Sequence, residues 1–357
     1  MTQMAPLSYK PQLDALRAIA AMAVMAEHFP RKTLLGWKVF ELGYLGLLGV
    51  LLFFVLSGYL ITGILLSSRS YRFQTALKRF YIRRTLRIFP IYHLTLLVLV
   101  IIGLPSVTGH LFWHVFYFSN VLFVLNPGVA APIAHLWTLS VEEQFYLIWP
   151  LLILLLPYRH LFRVILWAIV FGIGWKAIIV ENLGSHLAGG LWVFSCLDSL
   201  AFGAMLAYVE QDEKLRLKRQ NILSGLLALG SVMMAIQVVL FMTDSGKGFT
   251  LVMGYLGPSL VFTWLVGSAA MGFRGWFGAV LDWRALRYLG KISYGLYLYH
   301  YFMPQILQSL VRHLGFHQPG DLSAAVLAFL MTVLAAALSW HFIEKPISRW
   351  KDKVCEA

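Results

Sequence analysis

Residues 13–29, LDALRAIAAMAVMAEHF, would read as an ordinary membrane-spanning helix but for Arg17, Glu27 and His28. Arg17 and His28 stand eleven positions apart. At roughly 100° per residue this is about 20° past three full turns, so the two side chains share one helical face, ~16 Å apart along the axis. Ionisable groups inside an apolar helix are costly and usually face a cavity or a partner. Either residue alone could snorkel to a headgroup layer. Two on one face instead define a track with a cation near one end and a titratable nitrogen near the other.

Three further clusters could carry chemistry. In KRFYIRRTLRIFPIY (78–92), Arg84 and Arg87 lie three apart at the start of an apolar helix. Planar guanidinium groups grip phosphates bidentately and suit a diphosphate. The neighbouring Arg69, Arg72, Lys78 and Arg79 read as membrane-surface anchors. In HLWTLSVEEQFYLIWP (135–150), Ser140 and Glu143 have the spacing of a capping box. That pattern explains one glutamate, not the adjacent pair Glu142 and Glu143. One of them is expected to face a cavity at the depth of His28, where a carboxylate would orient the imidazole and stabilise its charged form for general-base work. In SYGLYLYH (293–300), Ser293, Tyr297 and His300 are candidates to line the same cavity, although a tyrosine stripe at helical spacing is more often packing. Glu344 is expected to pair with the basic 79–87 segment, and Pro346 to stop the last helix.

The elements that must position these groups are helices in a bilayer. The 357 residues are 59% hydrophobic and 13% charged, against about a quarter charged in soluble domains. Repeated apolar stretches near 20 residues predict an all-α polytopic membrane protein. About ten spans are expected: 11–30, 43–66, 88–104, 138–157, 161–180, 190–210, 221–242, 250–271, 291–311 and 322–343. The aromatic 110–125 stretch is too short to cross and should lie at the interface or re-enter. Of the 29 Lys and Arg, 22 fall on the side that holds 67–87, five fall on the other, and Arg17 and Lys176 lie within spans. The positive-inside bias then makes both termini and the 210–220 loop cytoplasmic. Inner-leaflet anionic lipid accounts for the net charge of +13 without nucleic acid. Cys196 and Cys355 form neither a disulfide framework nor a zinc spacing, so no metal is expected. The first apolar segment lacks a signal-peptide cleavage pattern, and the reading is of one integral-membrane domain, 1–357.

A phosphate grip on the cytoplasmic side and an imidazole near the outer side fit a long, thin donor phosphorylated at one end. Acyl-CoA has that shape. With LDALRAIAAMAVMAEHF, the stretches GVLLFFVLSGYLIT (49–62), RRTLRIFPIY (83–92), LWTLSVEEQFYLIWP (136–150), SYGLYLYH (293–300) and FIEKP (342–346) resemble, in order, the motifs of the membrane-bound acyltransferase-3 family. The resemblance implies about ten transmembrane helices in a bacterial inner (cytoplasmic) membrane. It implies transfer of acetyl or another acyl group from cytoplasmic acyl-CoA to lipopolysaccharide, exopolysaccharide or another envelope saccharide. It makes His28 and Arg17 the essential pair, with Glu142 and Glu143 as the family carboxylates and Arg84 and Arg87 as its arginine motif. Without the hydrolase-like domain fused in some members, a stand-alone form would complete transfer itself or hand the group to an envelope-glycan assembly protein. Tyr297 or Arg17 would stabilise the oxyanion. The rival class is a transporter or flippase for a glycan precursor, whose pathway would use the same buried charges.

Overall fold

The computed structural model describes residues 9–29, 44–130, 132–183, 190–243, 247–315, 317 and 319–356. Among these the regular elements are helical: α1 (Pro11–His28), α2 (Leu45–Ser68), α3 (Phe73–Ile101), α4 (Pro105–Thr108), α5 (Leu111–Val115), α6 (Ser119–Leu125), α7 (Leu136–Leu155), α8 (Tyr158–Leu183) and α9 (Val193–Gln211). There follow α10 (Glu213–Leu217), α11 (Arg219–Met242), α12 (Lys247–Met271), α13 (Gly275–Leu281), α14 (Arg284–Lys291), α15 (Ser293–Tyr299), α16 (Met303–His313), α17 (Asp321–Ser339) and α18 (Lys345–Glu356). Eight helices among the described residues are long and apolar enough to cross a membrane. The chain is an all-α, multi-pass membrane protein. Arg31, Lys32 and Lys38, which enter the charge asymmetry, lie outside the described residues.

The other two expected spans take different forms. Helix α1 is regular over 18 residues but carries Asp14, Arg17 and Glu27. The 291–311 segment is broken: α15 ends at Tyr299 and α16 begins at Met303. Nor does Pro346 stop the last helix. A π-helical turn over Trp340–Glu344 joins α17 to α18, and Pro346 sits at the second position of α18, where a missing N–H costs little. The aromatic 110–125 stretch folds into the short helices α5 and α6, with Tyr117 between them in the left-handed region at φ 58°.

Helix α2 is apolar all round, as suits a membrane span, and its glycines let neighbouring helices enclose it. It is the central rod, with 67% of its most apolar window buried, against 6% for the peripheral α11. Its contact with α9 depends on Gly58, where a Cβ would fall 1.8 Å from the carbonyl oxygen of Leu200. Small residues allow such backbone approach in bilayers, where apolar surface alone does not drive helices together. Helix α2 runs antiparallel to α1, with Gly46 against Glu27 and Gly49 against Ala20 and Val24. Helix α7 runs alongside α2 in the same direction, Ser57 facing Glu142 and Thr62 facing Trp149. Gly290 meets Asp14 and His300 meets His28, so the 290–300 segment runs parallel to α1.

Among the described residues, one ion pair lies wholly inside the bundle. Lys176 Nζ of α8 donates to Asp198 Oδ2 of α9 at 2.8 Å, each side chain 1% exposed. The ammonium also sits 4.4 Å from the centre of the Tyr255 ring. Breaking a buried pair leaves an uncompensated charge, whereas removing both partners is often tolerated. Lys176→Met or Asp198→Leu alone should therefore lower stability by about 3–5 kcal/mol, and the double variant should regain most of it. Unfolding curves in detergent check this; equal losses in single and double variants would refute it.

Candidate active site

Five elements enclose a cavity of about 90 Å³, room for several waters or a small acyl group. Its polar lining is Arg17 from α1, Ser57 from α2, Arg84 and Arg87 from α3, Thr138, Glu142, Glu143 and Tyr146 from α7, and Ser293, Tyr294 and Tyr297 from α15. Phe53, Phe54 and Ile88 are among the apolar residues that complete it. The helical periods explain the convergence. Arg87 and Ile88 stand three and four residues after Arg84, and Thr138, Glu142 and Tyr146 recur at four-residue steps, so each set occupies one face.

The cations are held from two directions. Arg17 Nη1 lies 3.2 Å from Asp14 Oδ1, one turn back on α1. Asp14 in turn accepts from the Tyr9 hydroxyl at 2.5 Å. A Cβ on Gly290 would lie 1.8 Å from the Asp14 carbonyl oxygen, so α14 reaches this turn only because residue 290 has no side chain. Across the cavity Glu142 accepts from Ser57 Oγ at 2.5 Å, and Ser57 accepts from the Tyr146 hydroxyl at 3.1 Å. Glu142 also interacts electrostatically with Arg84 and Arg17. The Arg84 guanidinium lies 5.5 Å from the centre of the Tyr146 ring, a cation–π arrangement. Arg84 is half-buried, and the exposed Arg87 marks the mouth.

Ser140 is no cap. Helix α7 begins a turn earlier than the capping-box reading requires, and Ser140 Oγ donates back to the Leu136 carbonyl at 3.2 Å. Glu143, released from capping, lines the cavity, and its Oε1 is buried with no donor among the described residues. Gln144, on the next position, is fully engaged: its Nε2 donates to Tyr117 O at 2.8 Å and Asn120 Oδ1 at 2.9 Å.

The other end of the site is aromatic. The Tyr297 and Thr138 hydroxyls share a 2.5 Å hydrogen bond, and both lie 3.1 Å from the His135 carbonyl oxygen, which accepts from the hydroxyl that is not donating to the other. Beyond them His28 stands exposed at the end of α1, outside the cavity lining. Its Nδ1 is 2.9 Å from Val24 O and 3.2 Å from Nε2 of the buried His300. The sequence predicted a carboxylate beside this imidazole. The structure instead brings Glu142 to Ser57, at the arginine end, and puts His300 against His28. The physical reason is depth: four residues of α7, about 6 Å, separate Glu142 from Thr138, which already lies at the Tyr297 level. Glu344, expected to pair with the 79–87 segment, accepts from Ser339 Oγ at 2.9 Å and interacts electrostatically with Arg87.

Sequence reasoning did not single out Asp14, Ser57, Thr138, Tyr146 or His135. Each carries a signal in retrospect. Asp14 is one helical turn from Arg17, Thr138 and Tyr146 are one turn either side of Glu142, His135 is three residues before Thr138, and Ser57 is a polar residue in a largely apolar helix.

Fold and site together define a helical membrane protein with an internal cavity that is cationic at one end and lined by the Thr138 and Tyr297 hydroxyls at the other, with His28 beyond them. The chain belongs to the acyltransferase domain family known as acyltransferase 3, which matches residues 10–342. It is 32% identical over 366 aligned positions to a Bacillus subtilis protein named "Putative peptidoglycan O-acetyltransferase YrhL", covering 95% of this chain and 55% of that one. It is 30% identical over 367 positions to the peptidoglycan O-acetyltransferase OatA of Listeria monocytogenes, covering 96% of this chain and 56% of that one. The chain thus spans little more than half the length of these relatives. No solved structure gives a significant match.

The Ser57 link predicts energetic coupling across α2 and α7. Ser57→Ala and Tyr146→Phe each cut the chain of bonds that ends on Glu142, so the double variant should cost less than the sum of the singles, by about 0.5–3 kcal/mol. A double-mutant cycle on unfolding in detergent measures this. Strict additivity would show that the two hydroxyls act separately.

Proposed function

We propose that this chain moves an acetyl group from cytoplasmic acetyl-CoA to a hydroxyl of an envelope saccharide, with peptidoglycan the favoured acceptor. The observation that carries the reading is the polarity of one cavity: Arg17, Arg84 and Arg87 line it, and His28 stands exposed beyond Tyr297 at the other end. The relatives' names supply the acetyl group and the acceptor class. The Lys and Arg asymmetry supplies the sides, with the arginine mouth and both termini in the cytoplasm and His28 toward the outer face of the bacterial cytoplasmic membrane.

In this mechanism Arg84 and Arg87 grip the coenzyme's phosphates, while Arg17, held by Asp14, compensates charge deeper in. The pantetheine arm threads the cavity past Glu142 and Glu143, which line it. The thioester reaches the level of Thr138 and Tyr297. His28 takes the proton from the acceptor hydroxyl, and the oxygen attacks the thioester carbonyl carbon. The Tyr297 hydroxyl donates to the developing oxyanion. The C–S bond then breaks, and the proton held on His28 passes to the departing thiolate. A transporter or flippase would need none of the hydroxyl chemistry at the Tyr297 end.

His28→Ala should insert and fold but lose acetyl transfer, whereas His93→Ala and His160→Ala should keep it. Near wild-type turnover in purified His28→Ala protein would sink the general-base assignment. Arg84→Ala and Arg87→Ala each remove a charge-assisted phosphate contact, so affinity for acetyl-CoA should fall roughly 10- to 150-fold. Calorimetry in detergent measures that, and unchanged affinity would mark these arginines as topology anchors. Cysteines at Arg72 and Lys214 should resist an impermeant thiol reagent in intact spheroplasts, and one at Thr33 should react. The reverse pattern would put His28 on the cytoplasmic side.

A further inference from the structure

The site contains three imidazoles, and two have no part in the mechanism above. His300 is fully buried and His135 is 2% exposed, while His28 is exposed. Their rings are in contact: His28 and His300 have centroids 5.1 Å apart, and His135 and His300 are 5.2 Å apart. Tyr301 closes the cage, stacked on His135 at 5.1 Å and packed against His28 at 4.8 Å.

Hydrogen-bond partners determine which nitrogen carries each proton. His300 Nδ1 lies 2.6 Å from the Tyr297 carbonyl oxygen. A carbonyl can only accept, so His300 Nδ1 bears the hydrogen, and a neutral imidazole then has its lone pair on Nε2. That Nε2 faces His28 Nδ1 at 3.2 Å, and the Val24 carbonyl oxygen faces the same nitrogen at 2.9 Å. With two acceptors around it, His28 Nδ1 is the protonated nitrogen. The lone pair of His28 is therefore on Nε2.

The broken helix makes this possible. In a continuous helix Phe302 N–H would bond the Leu298 carbonyl; here it bonds Tyr299 O. The Leu298 carbonyl accepts instead from His135 Nε2 at 3.1 Å. The turn that ends α15 thus offers two carbonyls, those of Tyr297 and Leu298, to two imidazoles and sets both tautomers.

We infer that His300 is a positioning residue for His28: it holds the Nδ1–H tautomer, so that Nε2 is the basic nitrogen, and it accepts the Nδ1–H bond when His28 becomes charged. A neutral imidazole does here what a carboxylate does in triads of the serine-hydrolase type. Uncharged, it can be fully buried without a counter-ion, which a carboxylate at this depth could not. When His28 Nε2 takes the acceptor proton, the Nδ1–H···Nε2 contact becomes charge-assisted and strengthens. It weakens again when the proton leaves with the thiolate. The inference rests on the reading of His28 as general base.

Two measurements on the full chain in detergent or nanodiscs test it. In the first, nitrogen NMR of histidine-labelled protein identifies the His28 signals by their loss in His28→Ala. The wild type should show His28 as the Nδ1–H tautomer, and His300→Phe should shift those signals toward a mixture of tautomers. The second compares kinetics with acetyl-CoA and a soluble cell-wall disaccharide. His300→Phe should lower kcat about 10- to 150-fold, the value of one charge-assisted hydrogen bond, with KM for acetyl-CoA within about twofold. His300→Gln, whose amide can both donate and accept, should recover part of the loss. A wild-type His28 in the Nε2–H form overturns the inference without recourse to any variant. So does His300→Phe with unchanged kcat and unchanged nitrogen signals. The general-base reading fails separately, if His28→Ala keeps turning over.

Discussion

A charge inside an apolar helical bundle must find its counter-group within the bundle, because lipid offers none. At the site, Arg17 is where this constraint is felt. Its partner Asp14 is one turn away on the same helix, which is local and cheap to encode. Asp14 is itself held by the Tyr9 hydroxyl. The backbone of the same turn is where Gly290 of α14 packs, which leads the chain into α15 and its cavity-lining tyrosines. One turn of the first helix thus carries both the counter-ion of Arg17 and the contact with α14.

The carboxylates obey the same rule in two ways. Glu142 is satisfied by a hydroxyl chain, Tyr146 to Ser57 to Glu142, and by nearby arginine charge. Glu143 leaves one oxygen without a donor among the described residues. Unpaired polar atoms are uncommon in membrane interiors because each costs free energy. Lys176 and Asp198, remote from the cavity lining, are fully paired, as befits a pair that joins two helices.

Besides the π-helical turn before α18, the backbone is irregular at two places near the cavity. Tyr117 adopts φ 58° and stacks on Tyr92 at 4.4 Å, turning its carbonyl to Gln144. The 299–303 break turns two carbonyls to His135 and His300. Non-helical backbone at membrane depth is tolerated where protein groups satisfy it, and here side-chain amides and imidazoles do so. Both irregularities position groups beside the cavity.

Much was legible in the sequence. Hydrophobic runs identify the bundle, and its charge asymmetry proposes an orientation. Helical period alone puts Arg84 and Arg87 on one face, and both line the cavity, as does Arg17. Periodicity reports a face, however, and not what the face meets. The sequence could pair Arg17 with His28 on α1, but it could not show that Glu142 would stop at the level of Ser57. Nor could it show that His28 would meet an imidazole 272 positions away. The capping box at Ser140 and the stop at Pro346 are local rules that tertiary context overrode, by starting one helix earlier and by a wide turn in another. The sequence by itself determined which residues carry charge, which faces they share and that helices must hold them. Only the tertiary structure decided the partners, because these depend on the relative depth of neighbouring helices, a quantity that no single helix's periodicity contains.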